Sequence, residues 1–188
     1  RTLYAHALEV TEGNWLAHSQ LGVVCQAEGD LVEAERHLGE AVRLNPRYAL
    51  AAYNLGVVYT LTGRCSQAAS LFAEVLKHTP GDCAARYNLG ICLDETGSPE
   101  AALAEFAAVA RQCPNYLPVL VGVGRLHWRR GRYDLAEQNF AEALRRHPGY
   151  ELARRNQGAL RRAPLAGPPS SLASSAAMAA ADRQRASP

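Results

Sequence analysis

Apolar and polar positions alternate along this chain in blocks that recur with a long period. Leu21, Ala34, Leu38 and Ala41 form one set, separated by polar residues such as Glu33, Glu35, Arg36 and Glu40. The set returns 34 residues on as Leu55, Ala68, Phe72 and Val75, and again as Leu89, Ala102, Phe106 and Val109. A fourth copy reads Val123, Ala136, Phe140 and Ala143. Steps of three and four residues inside a set put its side chains on one helical face. Each period therefore predicts two antiparallel helices, over about 15–28 and 31–44 in the first unit. Gly22, Gly56, Gly90 and Gly124 form a small column expected to face Ala34, Ala68, Ala102 and Ala136, letting the two helices approach closely. Gly29, Gly63, Gly97 and Gly131 fall where the first helix must stop, since glycine enters the left-handed region without steric cost. Asp30 with Glu33 has capping-box spacing, and Ser98 precedes a proline suited to the first helical position. Pro46, Pro80, Pro114 and Pro148 end each second helix.

Seven columns in register over four units resemble the tetratricopeptide repeat (TPR) family, whose 34-residue unit carries a Leu-Gly, an Ala-x-x-x-Phe and a terminal Pro. The resemblance implies an all-α fold, a TPR-type α-solenoid in which antiparallel helix pairs coil into a right-handed superhelix. A lone pair cannot bury its apolar face, so neighbouring units must stack. The register divides the chain into repeats at 15–48, 49–82, 83–116 and 117–150. Residues 1–14 are expected to hold the second helix of a truncated preceding repeat, because Tyr4, Ala7 and Glu12 lie one period before Leu38, Ala41 and Pro46. Residues 151–162 read as a polar C-terminal capping helix. Residues 163–188 collapse to Ala, Ser, Pro and Gly and are expected to be disordered.

Charge changes this picture in one respect. The net charge of +2 hides an asymmetry: residues 1–114 carry 8 basic and 13 acidic groups, whereas residues 115–188 carry 12 basic and 5 acidic groups. Nineteen of the twenty basic residues are Arg, which with abundant Ala suggests a GC-rich, bacterial genome. No run is long and apolar enough for a membrane span. The five cysteines, Cys25, Cys65, Cys83, Cys92 and Cys113, are scattered and odd in number. That pattern argues against a disulfide framework or zinc site and favours a reducing compartment, with Cys25 and Cys92 as small buried residues.

The resemblance places the first helix of each pair on the concave face of the superhelix, and three sets of candidate residues fall there. The first is an amide ladder of Gln20, Asn54, Asn88 and Asn156, interrupted at Gly122. A side-chain amide both donates and accepts, so amides at a fixed pitch can hold an extended backbone without reading its sequence. Superhelical TPR domains similar to that of O-GlcNAc transferase use such a ladder. The second is an apolar and aromatic strip of Leu16, Tyr53, Val57, Leu61, Tyr87 and Ile91, expected to point into the groove as partner anchors. The third is a basic end, with Arg125, Arg129, Arg155 and Arg162 beside Trp128, where arginine forks suit an acidic peptide segment. The cation set of the chaperone-tail carboxylate clamp is missing, because the corresponding positions read Ser19, Val23, Asn54, Ala84 and Asn88.

No H-E-x-x-H pair, phosphate loop or nucleophile elbow occurs, and Gly122-Val123-Gly124 lacks the third glycine of a dinucleotide fingerprint. Catalysis by this segment, a metal and a cofactor are therefore not expected. The expected function is a protein–protein interaction scaffold that binds an extended peptide in its groove. No nucleic acid is expected as a partner, because no RNA- or DNA-binding motif accompanies the arginines. Self-association through the N-terminal face is a further expectation. The stretch His6 to His18 also resembles the first repeats of bacterial membrane proteins that carry glycosyltransferase-like domains before TPR arrays. That resemblance implies an accessory role in a larger enzyme. The expected location is cytoplasmic, or a soluble extension of a membrane protein.

Overall fold

A computed structural model of the protein describes residues 13–162. The expectations for the truncated repeat before residue 13 and for the tail after residue 162 lie outside those residues. The described residues form nine helices and no strand. In chain order these are α1 (Trp15–Ala27), α2 (Leu31–Leu44), α3 (Ala49–Leu61), α4 (Cys65–His78), α5 (Cys83–Glu95), α6 (Pro99–Gln112), α7 (Pro118–Arg129), α8 (Tyr133–Arg146) and α9 (Glu151–Arg162).

The punctuation read from the sequence explains these limits. Gly29, Gly63, Gly97 and Gly131 adopt φ of 83°, 77°, 84° and 70°, and each lies just beyond a first helix. The residues before the four prolines, Asn45, Thr79, Cys113 and His147, leave the helical region, with φ between −131° and −142°. Each second helix therefore stops two residues before its proline. Asn14, Asp30 and Asp82 cap α1, α2 and α5, their side chains accepting from the N–H groups of Ala17, Glu33 and Ala85. Ser98 occupies the N-cap position before Pro99 but makes no side-chain cap bond, so Pro99 alone marks that start.

The alanine column Ala34, Ala68, Ala102 and Ala136 is fully buried, as is the ring column Leu38, Phe72, Phe106 and Phe140. The structure corrects one pairing. The Gly22 column receives the ring column rather than the alanines. A Cβ added at Gly90 would lie 2.6 Å from Phe106 Cε1, and one at Gly124 would lie 2.6 Å from Phe140 Cε1. A flat ring on a helix that lacks a Cβ brings the two axes close and leaves no void.

Stacking makes the core continuous across repeats. Tyr53, Val57 and Phe72 of the second repeat share one apolar cluster with Ala84, Ala85 and Cys92 of the third. Each first helix also meets the first helix of the next repeat, α1 with α3, α3 with α5, α5 with α7 and α7 with α9. Successive second helices keep no comparable contact among the described residues. The array therefore bends with its first helices inside, which matches the α-solenoid expected from the period.

One cysteine expectation is overturned. Cys83 and Cys113 form a disulfide across 30 residues, with Cα atoms 6.5 Å apart. The scattered positions concealed it because 30 residues is the length of one helix hairpin. The start of α5 and the end of α6 are therefore neighbours at the open end of the third repeat. Cys25 and Cys92 are buried and lie outside any disulfide, as expected.

Candidate functional site

The inner face is built from α1, α3, α5, α7 and α9, and it carries the residues singled out above. Most of them serve the wall rather than its surface. Tyr53 is 1 % exposed and packs edge-on against Phe72, with ring centroids 5.7 Å apart. Tyr87 is fully buried between Phe106 and Tyr116. Val57, Ile91 and Trp128 are buried too, so the expected strip of exposed aromatic anchors is not present. The cause is the close contact of successive first helices, which closes the inner edge of each interface over these side chains. Leu16 and Gln20 keep accessible surface, with Leu16 47 % exposed.

The amide column behaves similarly. Asn54, Asn88 and Asn156 are buried. Asn88 Nδ2 donates to Tyr53 Oη at 3.1 Å, tying the third repeat to the second. Asn156 Nδ2 turns back to the Leu152 carbonyl at 2.8 Å. The remaining amide oxygens of Asn88 and Asn156 have no hydrogen-bond partner among the described residues.

Gly122 stands where the column expects an amide, but a Cβ there would lie 3.0 Å from Tyr87 Cε2 and 3.1 Å from Phe106 Cζ, so the third and fourth repeats close over it and leave a cleft of about 10 Å³. Ile91 and Phe106 give it an apolar floor, while Asp94, Glu95, Arg125 and Arg129 surround it. The basic end is not a set of free cations. Arg129 Nη1 pairs with Asp94 Oδ2 at 3.1 Å, and Arg129 Nη2 pairs with Glu95. Burial raises the Asp94 carboxyl above its ordinary range, opposed by the Arg129 charge. Burial likewise lowers the Arg125 guanidinium, which is only 6 % exposed. The sequence brought the arginines together but did not show that Asp94 and Glu95, one unit earlier, neutralise Arg129. Arg155 and Arg162 lie exposed on α9.

Among the described residues no group of three His, Cys, Asp or Glu side chains could hold a metal ion. No described helix is long and apolar enough to cross a membrane.

Comparison with known proteins agrees with this architecture. Two family profiles, each described as tetratricopeptide repeat, match residues 62–116 with 123–165 and residues 14–80. A tetratricopeptide repeat protein from Parabacteroides merdae is 19 % identical, with a TM-score of 0.74 over 97 % of this chain and 69 % of that one. MamA is 21 % identical, with a TM-score of 0.69 over 77 % of this chain and 85 % of that one. The APC/C hetero-tetramer Cut9-Hcn1 gives 20 % identity and a TM-score of 0.73 over 84 % of this chain, but only 32 % of the matched chain. No curated protein matches. At these identities the structural likeness shows the fold alone, while the profiles cover more than half of the sequence. The 34-residue register, the helix pairs stacked through their ring columns and the profile matches together show that the chain belongs to the tetratricopeptide repeat family.

Proposed function

We propose that the inner face binds an extended segment of a protein partner, held at the charged rim of the cleft beside Gly122. As a TPR array the chain is a scaffold for protein–protein interaction, and the finer reading names where the partner sits. One observation carries it. At the single gap in the amide column, where no side chain projects, Asp94, Glu95, Arg125 and Arg129 surround a narrow cleft over the buried Ile91 and Phe106. The cleft has room for about one water and not for a side chain, but the partly exposed Glu95 carboxylate and Arg129 guanidinium supply an acceptor and donors for a partner's backbone.

The charge balance revises the partner chemistry. An acidic segment at Arg125 and Arg129 would first have to separate Arg129 from Asp94 and Glu95. An uncharged segment meets no such cost. Leu16 and Gln20 extend the same face toward the first repeat. Asn54, Asn88 and Asn156 are buried in its wall, and Asn88 ties the third repeat to the second through Tyr53.

The test is retention of partners from a lysate by the chain beside its Gln20→Ala/Glu95→Lys variant. Both positions keep accessible surface, so the fold should survive, and the far-UV circular dichroism spectrum checks that. A partner held by the parent and lost by the helical variant supports the inner face. Equal retention by both removes this reading.

A further inference from the structure

Two imidazoles face each other between the helices of the first repeat. His18 on α1 and His37 on α2 bring their Nδ1 atoms to 2.9 Å. Their ring centroids are 5.1 Å apart, so each Nδ1 points from its own ring toward the other, as one N–H···N bond requires. On its far side, His37 Nε2 lies 2.8 Å from Arg36 Nη2. A guanidinium can only donate, so His37 Nε2 accepts and the ring carries its proton on Nδ1. His37 Nδ1 therefore donates to His18 Nδ1, and His18 keeps its own proton on Nε2. Both rings are neutral in this arrangement, and Arg36 sets the tautomers.

A further proton has two places to go, and each breaks a bond. On His18 Nδ1 it sets two N–H groups against each other at 2.9 Å. On His37 Nε2 it sets an N–H against the Arg36 guanidinium at 2.8 Å. His37 is only 6 % exposed, so a charge there is also poorly solvated. The nearby carboxylates are already engaged. Glu40 is held by Arg43, and Glu33, 3.8 Å from His37 Nε2, is held by Arg36. α1 and α3, which pack on α2, carry no Asp, Glu, Lys or Arg; Cys25, Tyr53 and Tyr59 are their only other titratable side chains. Burial lowers the His18 pKa, opposed by Glu40 and reinforced by Arg36 and Arg43.

The equivalent positions of the other repeats hold Ala52 with Leu71, Arg86 with Glu105, and Leu120 with Asn139. Arg86 Nη1 and Glu105 Oε2 form an ion pair at 2.9 Å. The same joint between first and second helix is thus made in different chemistries, and the first repeat alone makes it from two histidines. We propose that the His18–His37 pair is an acid-released latch, holding α1 on α2 while both rings are neutral and letting α1 go when the pair takes a proton. Leu16 and Gln20 stand on α1, so the latch governs the N-terminal end of the inner face. That consequence rests on the proposed binding face, whereas the latch itself does not.

Amide hydrogen exchange of the full chain at about pH 7.5 and about pH 5, corrected for intrinsic rates, tests the latch without a partner. Its failure is therefore distinct from failure of the binding face. The folded His18 value is lowered, so protection is complete above the unfolded 6.5 and declines as pH falls toward the folded value. α1 and α2 should lose protection, by up to about tenfold per pH unit for each histidine, while α5 and α6, joined by Arg86 and Glu105, keep theirs. His18→Ala/His37→Leu, which copies the pair of the second repeat, should hold α1 equally at both pH values. Unchanged α1 protection in the parent would overturn the proposal, and so would an equal acid loss in the variant. Imidazole nitrogen shifts of the unaltered chain at about pH 7.5 give a second reading that needs no variant. They should show a protonated Nδ1 on His37 and an unprotonated Nδ1 on His18; a protonated Nδ1 on His18 would also overturn it.

Discussion

Identical substitutions at two helical glycines should have opposite consequences. Gly39 lies inside α2, and a Cβ built there meets nothing within 4 Å. Alanine at that site should stabilise the chain by about 0.5–1 kcal/mol, through the lower backbone entropy of its unfolded state. Gly90 gains the same preference, but its Cβ would lie 2.6 Å and 2.9 Å from Phe106 Cε1 and Cδ1. Phe106 is buried in a cluster with Tyr87 and Val109 of the third repeat and Leu126 of the fourth, so its ring cannot simply withdraw. Overpacking of this kind costs about 1–3 kcal/mol. Because both variants share the propensity gain, the difference between them isolates the clash, at about 1–3 kcal/mol in favour of Gly39→Ala. At about 2–4 °C per kcal/mol for a chain of this size, their melting midpoints should separate by about 2–12 °C. Thermal unfolding followed by circular dichroism at the helical minimum measures this directly. A Gly90→Ala midpoint equal to or above that of Gly39→Ala would refute the ring-on-glycine packing.

Three further outcomes follow from the same geometry. Cys83→Ala/Cys113→Ala removes the link that closes a 30-residue span, and loop entropy alone assigns that link about 3–4 kcal/mol, readable as a lower urea midpoint. Arg129→Leu leaves Asp94 and Glu95 without their guanidinium and should cost roughly 1 kcal/mol, most of it recovered in Asp94→Asn/Arg129→Leu; a double variant no more stable than the single one would contradict the pairing. Burial lowers the His18 pKa below its ordinary 6.5, so the folded state favours the neutral ring. Its stabilising contribution is present above the unfolded value and is lost as pH falls through the lowered folded value. Urea midpoints at about pH 7.5 and about pH 5 should therefore differ more for the parent than for His18→Gln.

Much of the fold is legible because its stop signals are local. Gly29, Gly63, Gly97 and Gly131 need only their own backbone to end a helix, and the prolines act on the residue before them. The ring and alanine columns are likewise legible, since a helix pair has one place for bulky side chains. The period shows which positions are equivalent but not how tightly successive repeats coil. That coiling decides whether Tyr53 and Tyr87 face a groove or a neighbouring helix, and here they face the neighbour. The same limit hid the Asp94–Arg129 pair, whose members stand 35 residues apart. It also hid the Cys83–Cys113 bridge, though a spacing equal to one hairpin was a usable signal. Gly122 was visible as a break in the amide column. That Tyr87 and Phe106 close over it needed the packing of the two repeats.

The central claim is that a protein partner lies against the first helices, and site-specific photo-crosslinking tests it most directly. A photoreactive residue at Gln20 or Glu95 probes the inner face, and one at Val32 or Glu100 probes exposed positions on the second helices. The account predicts that a partner is captured from Gln20 and Glu95 and not from Val32 or Glu100. Capture of the same partner only from Val32 or Glu100 would contradict it and move the interaction to the outer surface.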